Sequence, residues 1–208
     1  MKKINTYLFD FDGTLVNSQR SLTRVFQIAY ESVGVKITHD DTLLLMRIRL
    51  EKGYEIFKAP TDEESIKKFV AAIRRELDAP ETLKLTEPFE DTKEVITSLY
   101  NKGYTLGIVT SNAKNHVQDV LKFLDLDEKM FSVIIGNEEV ERCKPDPDPV
   151  NVAVNLLGVD KSEVAYVGDG LDDMRCASAA GVLPVLIDRL DEYRDSEYQV
   201  IKSLKELL

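Results

Sequence analysis

Ile4-Asn-Thr-Tyr-Leu-Phe-Asp-Phe-Asp-Gly-Thr14 is the stretch on which the fold turns. Its first part, Ile4 to Phe9, is a short, largely apolar run, too brief for a helix and suited to a buried strand. Asp10-Phe-Asp-Gly-Thr14 follows without a spacer, so two carboxylates and a glycine stand where that strand would end. Four further runs share the design: Tyr104 to Val109, Val133 to Ile135, Val164 to Val167 and Leu183 to Ile187. Three of these also end in polar or glycine-containing segments, namely Thr110-Ser-Asn112, Gly136-Asn137 and Gly168-Asp-Gly170.

Helical patterns separate the runs. Asp91-Thr-Lys-Glu94 reads as a capping box, with Val95, Ile96, Leu99 and Tyr100 as the apolar stripe and Gly103 as the stop. Val150, Ala153, Val154 and Leu157 form a second stripe, ended by Gly158, and Val200, Ile201, Leu204 and Leu207 predict a terminal docking helix. The alternation predicts an α/β fold, a Rossmann-like parallel sheet flanked by helices. In such sheets ligands bind beyond the carboxyl ends of the strands, where the polar segments fall.

One stretch breaks the alternation. Leu22, Val25, Phe26, Ala29, Tyr30 and Val33 repeat at helical spacing, as do Ile66, Phe69, Val70, Ile73 and Leu77, while Leu43 to Leu50 is apolar with Arg47 and Arg49 interposed. Residues 17–87 are expected to form an inserted all-helical domain, and residues 1–16 with 88–208 the sheet domain.

At 208 residues, against about 150 per domain, the chain suits one large domain or one with an inserted module. Lys and Arg number 27 against 37 Asp and Glu, a formal charge of −10 that on average repels phosphate backbones and anionic lipid. Cys143 and Cys176 make neither a disulfide framework nor a zinc pattern. The start lacks the apolar stretch of a signal peptide, and runs such as Gly181 to Ile187 are far short of a membrane span. The expectation is a cytoplasmic protein, monomer or weak dimer, whose partner is a small molecule and neither nucleic acid nor membrane.

In an extended chain Asp10 and Asp12 share a side, and two neighbouring carboxylates repel unless a cation or proton lies between them. The pair is therefore a metal site, or a nucleophile with its acid/base partner. Turn capping is the plain alternative for an isolated Asp-x-Asp. Gly168-Asp-Gly-Leu-Asp-Asp173 repeats the pattern, and oxygen-only ligands suit Mg²⁺, although either Asp172 or Asp173 also suits an N-cap. Thr110-Ser111-Asn112 offers hydroxyls and amides before a helix start near Ala113. Lys144 lies in the proline-stiffened Arg142-Cys-Lys-Pro-Asp-Pro-Asp-Pro149, where a fixed ammonium can stabilise a phosphoryl group. His39 and His116 have no second ligand at metal spacing, and Cys143 reads as a small loop residue.

Taken together these segments resemble the haloacid dehalogenase superfamily, in the helical-cap subgroup of phosphoglycolate-phosphatase-like and β-phosphoglucomutase-like proteins. Four motifs stand in order over residues 7 to 181: Asp10-Phe-Asp-Gly-Thr14, Thr110, Lys144-Pro145, and Gly168-Asp169 with Asp173. The resemblance implies a Mg²⁺-dependent phosphatase acting on a small phosphorylated metabolite. Asp10 would be the nucleophile that forms an aspartyl-phosphate, Asp12 the acid and then base, and Thr14 a residue orienting Asp12. Thr110, Ser111 and Lys144 would hold the phosphoryl group. Mg²⁺ would be bound by the Asp10 carboxylate, the Asp12 carbonyl and Asp169, with Asp173 behind or through water. Asp12 separates the chain from the dehalogenases proper, and Thr14 favours phosphatases over mutases, which often have Val there. Asn17 and Gly170 depart from the usual Asp and Ser or Thr. A phosphomutase of the β-phosphoglucomutase type is the alternative, and a non-catalytic binding module the third reading. The insert is expected to recognise the leaving group, with Arg47, Arg49 and Lys52 as candidates for a second anionic group against a solvated charged face. Phosphoglycolate, sugar phosphates, nucleotides and pyrophosphate all remain open as substrates.

Overall fold

The computed structural model describes residues 3–46, 48 and 50–208. The chain divides into two compact units, Met1–Asn17 with Pro88–Leu208, and Ser18–Glu87. In the first, β1 (Thr6–Phe9) is buried along its whole length, and the two-residue β2 (Val16–Asn17) closes the segment.

The second unit is built from α1 (Gln19–Ser32), α2 (His39–Leu45), α3 (Leu50–Ile56), α4 (Glu63–Leu77) and α5 (Pro80–Leu83). Local signals start these helices. Thr38 and Asp41 exchange hydrogen bonds as a capping box before α2, and Asp62 Oδ1 accepts the Ser65 amide at 2.9 Å before α4. The apolar stripes of α1 and α4 then meet, with the Tyr30 ring 4.9 Å from Phe69 and edge-on to it. Ile66, expected in the stripe, is exposed. Arg47 and Arg49 lie outside the described residues, and Lys52 is paired with Glu55 on the surface at 2.7 Å.

After β3 (Glu87–Pro88) the chain continues as α6 (Thr92–Asn101), β4 (Thr105–Val109), α7 (Lys114–Phe123), β5 (Val133–Ile135), α8 (Asp148–Leu157), β6 (Val164–Gly168), α9 (Leu171–Ala180), β7 (Leu183–Ile187) and β8 (Gln199–Ile201). Six strands form one parallel sheet in the order β5-β4-β1-β6-β7-β8. The chain runs outward from β1 through β4 to β5, then crosses back to β6 and runs outward the other way. The order thus reverses at β1, and the crevice this opens at the carboxyl ends of β4, β1 and β6 is the binding position of such sheets.

Three local expectations are corrected. Val200, Ile201, Leu204 and Leu207 do not share a helix: Gln199–Ile201 is the edge strand β8, paired with β7, and Leu204–Leu207 is a separate 3₁₀ turn. The β-branched Val200 and Ile201 suit the strand, the Asp188 amide bonds the Ile201 carbonyl at 2.8 Å, and Ser203 caps the turn. Asp91 precedes α6 but its side chain caps nothing there, because it is taken by partners from the C-terminal segment. Tyr100 of the expected stripe is exposed, while Val95, Ile96 and Leu99 are buried.

Candidate active site

Register places the first residues of the site. Phe9 stands opposite Ile108 of β4 and Val167 of β6, and the Asp10 amide continues the ladder by donating to the Val167 carbonyl at 2.8 Å. One step beyond the strands lie Asp10, Thr110 and Asp169, so three parallel neighbours in register deliver them to one edge. Asp10 and Thr110 are buried.

Two glycines permit close approach. Gly13 has φ +78°, and a Cβ there would fall 2.0 Å from Asp169 Oδ2. At Gly168 a Cβ would fall 2.5 Å from that of Asp173, so glycine lets the first turn of α9 come down onto β6. Carboxylate oxygens of Asp10, Asp169 and Asp173 consequently lie within 4.8 Å of one another.

The counter-charge is Lys144, from the loop between β5 and α8. Its Nζ donates to Asp10 Oδ1 and Asp173 Oδ1, each at 2.7 Å, and to the Tyr166 hydroxyl at 3.2 Å. The hydroxyl stands 2.9 Å from the Val109 carbonyl and 3.0 Å from Asp173 Oδ1, with one proton to give to either. Asp173 Oδ2 accepts the Gly170 amide at 3.0 Å. Neither acid is the N-cap of α9, which is Gly170: Asp173, three residues on, satisfies the Gly170 amide and also anchors Lys144. Asp172 pairs instead with Arg175 at the surface.

The electrostatics follow from this crowding. Burial drives the Asp10 carboxyl well above the usual carboxylate range, Lys144 pulls it back, and the charges of Asp173 and Asp169 push it up. Asp169 is raised to about 7, by burial first and then by Asp173. For Lys144 burial disfavours the ammonium, but the two carboxylates outweigh it and hold the group protonated, well above the ordinary lysine range. Burial and the charge of Asp173 likewise hold Tyr166 neutral.

Asp12 is placed differently from its partner in the motif. Its Oδ2 accepts the Asn112 side-chain amide, so its carboxylate is turned toward the end of β4 and is not part of the acidic cluster. Thr14 is fully buried, and its hydroxyl has no hydrogen-bond partner among the described residues, so no bond from it orients Asp12. Thr110 Oγ1 accepts the Asn112 amide at 3.1 Å, which leaves its proton to donate. Ser111 is exposed, with its carbonyl held by the Asn137 side-chain Nδ2 at 3.0 Å. His39 begins α2 and His116 is buried in α7, and neither belongs to the cluster. Cys143 is exposed and Cys176 buried, both as free thiols.

Sequence reasoning did not single out Tyr166, nor Asn112 as the holder of Asp12. The one signal for Tyr166 is a polar tip within the otherwise apolar Val164-Ala-Tyr-Val-Gly168. The donor set fits a hard divalent cation: it is all oxygen, its carboxylates crowd together, and glycine leaves room for Asp169 to close on the loop.

A Rossmann-like parallel sheet whose central strand ends gather acids, a buried lysine and hydroxyl donors has the chemistry to hold a cation and an anionic group together. The chain belongs to the haloacid dehalogenase-like hydrolase family, whose model matches residues 7–187. It is similar to the pyrophosphatase PpaX of Halalkalibacterium halodurans, with 32% identity over 213 residues that cover 99% of this chain and 96% of that one. Among solved structures it resembles a haloacid dehalogenase-like hydrolase from Bacteroides fragilis, at 30% identity and a TM-score of 0.88 over 99% of this chain and 100% of that one. A structure described as a phosphoglycolate phosphatase, from Lactobacillus plantarum, shares the fold at 20% identity with a TM-score of 0.85, covering 99% and 98% of the two chains. No helix among the described residues is long and apolar enough to cross a membrane.

Proposed function

We propose that this chain is a Mg²⁺-dependent phosphohydrolase that moves a phosphoryl group from a small phosphorylated metabolite to Asp10 and then to water. The observation behind it is Asp10 at the end of the central strand, buried, with the Lys144 ammonium 2.7 Å from Oδ1 and two further carboxylates beside it. An Asp10 oxygen attacks phosphorus, the bond to the leaving oxygen breaks, and Asp12 gives that oxygen its proton. Asp12 then takes a proton from the water that attacks the aspartyl-phosphate, which frees Asp10 and inorganic phosphate. Asn112 holds the Asp12 carboxylate for both transfers. Thr110 and Lys144 donate to the phosphoryl oxygens, with the Ser111 backbone beside them, and Asp173 and Tyr166 keep Lys144 in place. Asp10, Asp169 and the Asp12 carbonyl would hold Mg²⁺, which would supply charge neutralisation for the approach of Asp10 to an anionic phosphate. The helical insert is assigned the choice of leaving group.

Relatives similar over nearly the whole chain are named pyrophosphatases, which puts inorganic pyrophosphate first in the substrate panel, ahead of phosphate monoesters. The test is phosphate release across that panel, with Mg²⁺ and with chelator, beside Asp10→Asn. Release that requires Mg²⁺ and falls by about 10³-fold or more in the variant is expected. Undiminished turnover by Asp10→Asn refutes the nucleophile. Interconversion of sugar phosphates without release of phosphate moves the reaction to the phosphomutase alternative.

A further inference from the structure

Arg189 stands two residues beyond β7, on none of the recognised motifs, yet its guanidinium reaches the loop that bears Asp12. Its two terminal nitrogens bind Asp91 in a fork, Nη1 to Oδ2 at 3.1 Å and Nη2 to Oδ1 at 3.0 Å. Nη2 also donates to the Thr14 carbonyl at 2.9 Å, and the guanidinium carbon lies 3.8 Å from the centroid of the Phe89 ring. Asp91 is itself buried and held by Ser203 Oγ at 2.7 Å and the Leu204 amide at 2.8 Å. The fork thus cannot swing without breaking a set of bonds to the C-terminal segment.

The carbonyl it holds belongs to a tight turn. Leu15 and Val16 donate their amides to the Phe11 carbonyl at 2.9 and 3.1 Å, and the Gly13 amide donates to the Val16 carbonyl at 2.8 Å. Asp12 projects from this turn. The next carbonyl, of Leu15, is held by Thr92 Oγ1 at 2.7 Å. Two successive carbonyls are therefore tied from outside, one by Arg189 and one by the start of α6. A salt bridge needed only to stabilise the fold would be complete with the Asp91 fork. The added bond from Nη2 to the Thr14 carbonyl points to the turn as what the guanidinium holds.

We propose that Arg189 is a positioning residue for proton transfer by Asp12: clamped on Asp91 and stacked on Phe89, it fixes the Thr14 carbonyl and with it the turn from which Asp12 meets the leaving oxygen. This rests on the assignment of Asp10 and Asp12 made above. No group on Arg189 touches the reacting atoms. Its effect is on the geometry of one proton transfer, so its loss is felt in proportion to how much the leaving group needs that proton.

The test compares kcat/KM for an alkyl phosphate, whose leaving oxygen is strongly basic, with that for p-nitrophenyl phosphate or acetyl phosphate, whose leaving oxygens are weakly basic. Arg189→Lys keeps a charge for Asp91 but cannot fork and reach Thr14 together. The double variant Asp91→Asn/Arg189→Met removes the pair without leaving a buried charge, so a folded protein is available even if one of the two is unstable. The expected result is a loss of about 10- to 100-fold on the alkyl phosphate and less than about threefold on the activated ones, with folding confirmed by circular dichroism. Equal losses on both classes, or none on either, overturn the proposal. Failure of the underlying assignment is seen separately, as turnover that survives Asp10→Asn.

Discussion

Replacing Lys144 by Met keeps the length of the side chain and removes its charge from between two acids. Asp10 and Asp173 each lie 2.7 Å from Nζ, and all three side chains are nine-tenths buried. At an effective dielectric constant of about 20, a pair at that distance attracts by about 6 kcal/mol before desolvation is counted. Desolvation of the buried ions offsets most of this, so the useful figure is the cost of removing one partner and leaving the others unpaired, about 3–5 kcal/mol. The variant keeps Asp10, Asp169 and Asp173 within 4.8 Å of one another with no cation among them. Lys144→Met, unfolded by urea at neutral pH with chelator present, is expected to lose about 3–5 kcal/mol. Adding Asp173→Asn removes one of the stranded charges, so the double variant is more stable than the two single losses summed, by about 1–3 kcal/mol. Turnover by Lys144→Met falls by about 10²-fold or more, the effect of removing one fixed donor from a phosphoryl or oxyanion site. A stability loss below about 1 kcal/mol, or single and double variants that add within about 0.5 kcal/mol, refutes the claim that Lys144 neutralises this cluster.

Gly13→Ala puts a methyl group 2.0 Å from Asp169 Oδ2 on a backbone at φ +78°, so it strains the turn and displaces the acid. A stability loss of about 1–3 kcal/mol with near-complete loss of activity is expected, measured by thermal unfolding and phosphate release. For Asp188, burial raises the carboxyl, but Lys202 and the amides of Glu192 and Tyr193 bring it down from 3.8 to about 2. A depressed folded value means stability that is present above about pH 4 and lost as pH falls toward 2, at most about 2 kcal/mol in all. Lys202→Met, which removes the 2.8 Å ion pair, is expected to lower Tm at pH 6 and to converge with the parent near pH 2; a difference that grows with acid refutes this.

Much of the sheet and of the site was legible because both are written locally. β1, β4 and β6 are short apolar runs that end in a polar residue, so Asp10, Thr110 and Asp169 announce themselves by following a strand. Lys144 is marked by the prolines around it. The insert was legible as helix from its spacing alone, with α2 ending at Leu45 and α3 starting at Leu50 inside the apolar run. β8 was misread because Val200, Ile201 and Leu204 fit a helical stripe as well as a strand followed by a turn, and the choice is made by pairing with β7. Tyr166 was invisible for a related reason: within an apolar strand a tyrosine reads as core, and only the fold shows its hydroxyl at Asp173.

Asp91 shows most clearly why the remainder could not be read. Asp-x-x-Glu before an apolar stripe is a local signal, and a cap bond would join Asp91 to an amide two or three residues away. Its actual partners, Arg189 and Ser203, are 98 and 112 residues distant in sequence. Two guanidinium N–H groups in a fork, each assisted by charge, outcompete one neutral amide for a buried carboxylate. A cap that leaves Arg189 unpaired would bury a charge for the sake of one bond of about 1 kcal/mol, and that balance is unfavourable. The local rule is therefore right about what Asp91 could do in an isolated helix. It is overruled once the sheet carries Arg189 to the end of β7, where the carboxylate can link the C-terminal segment to the turn bearing Asp12.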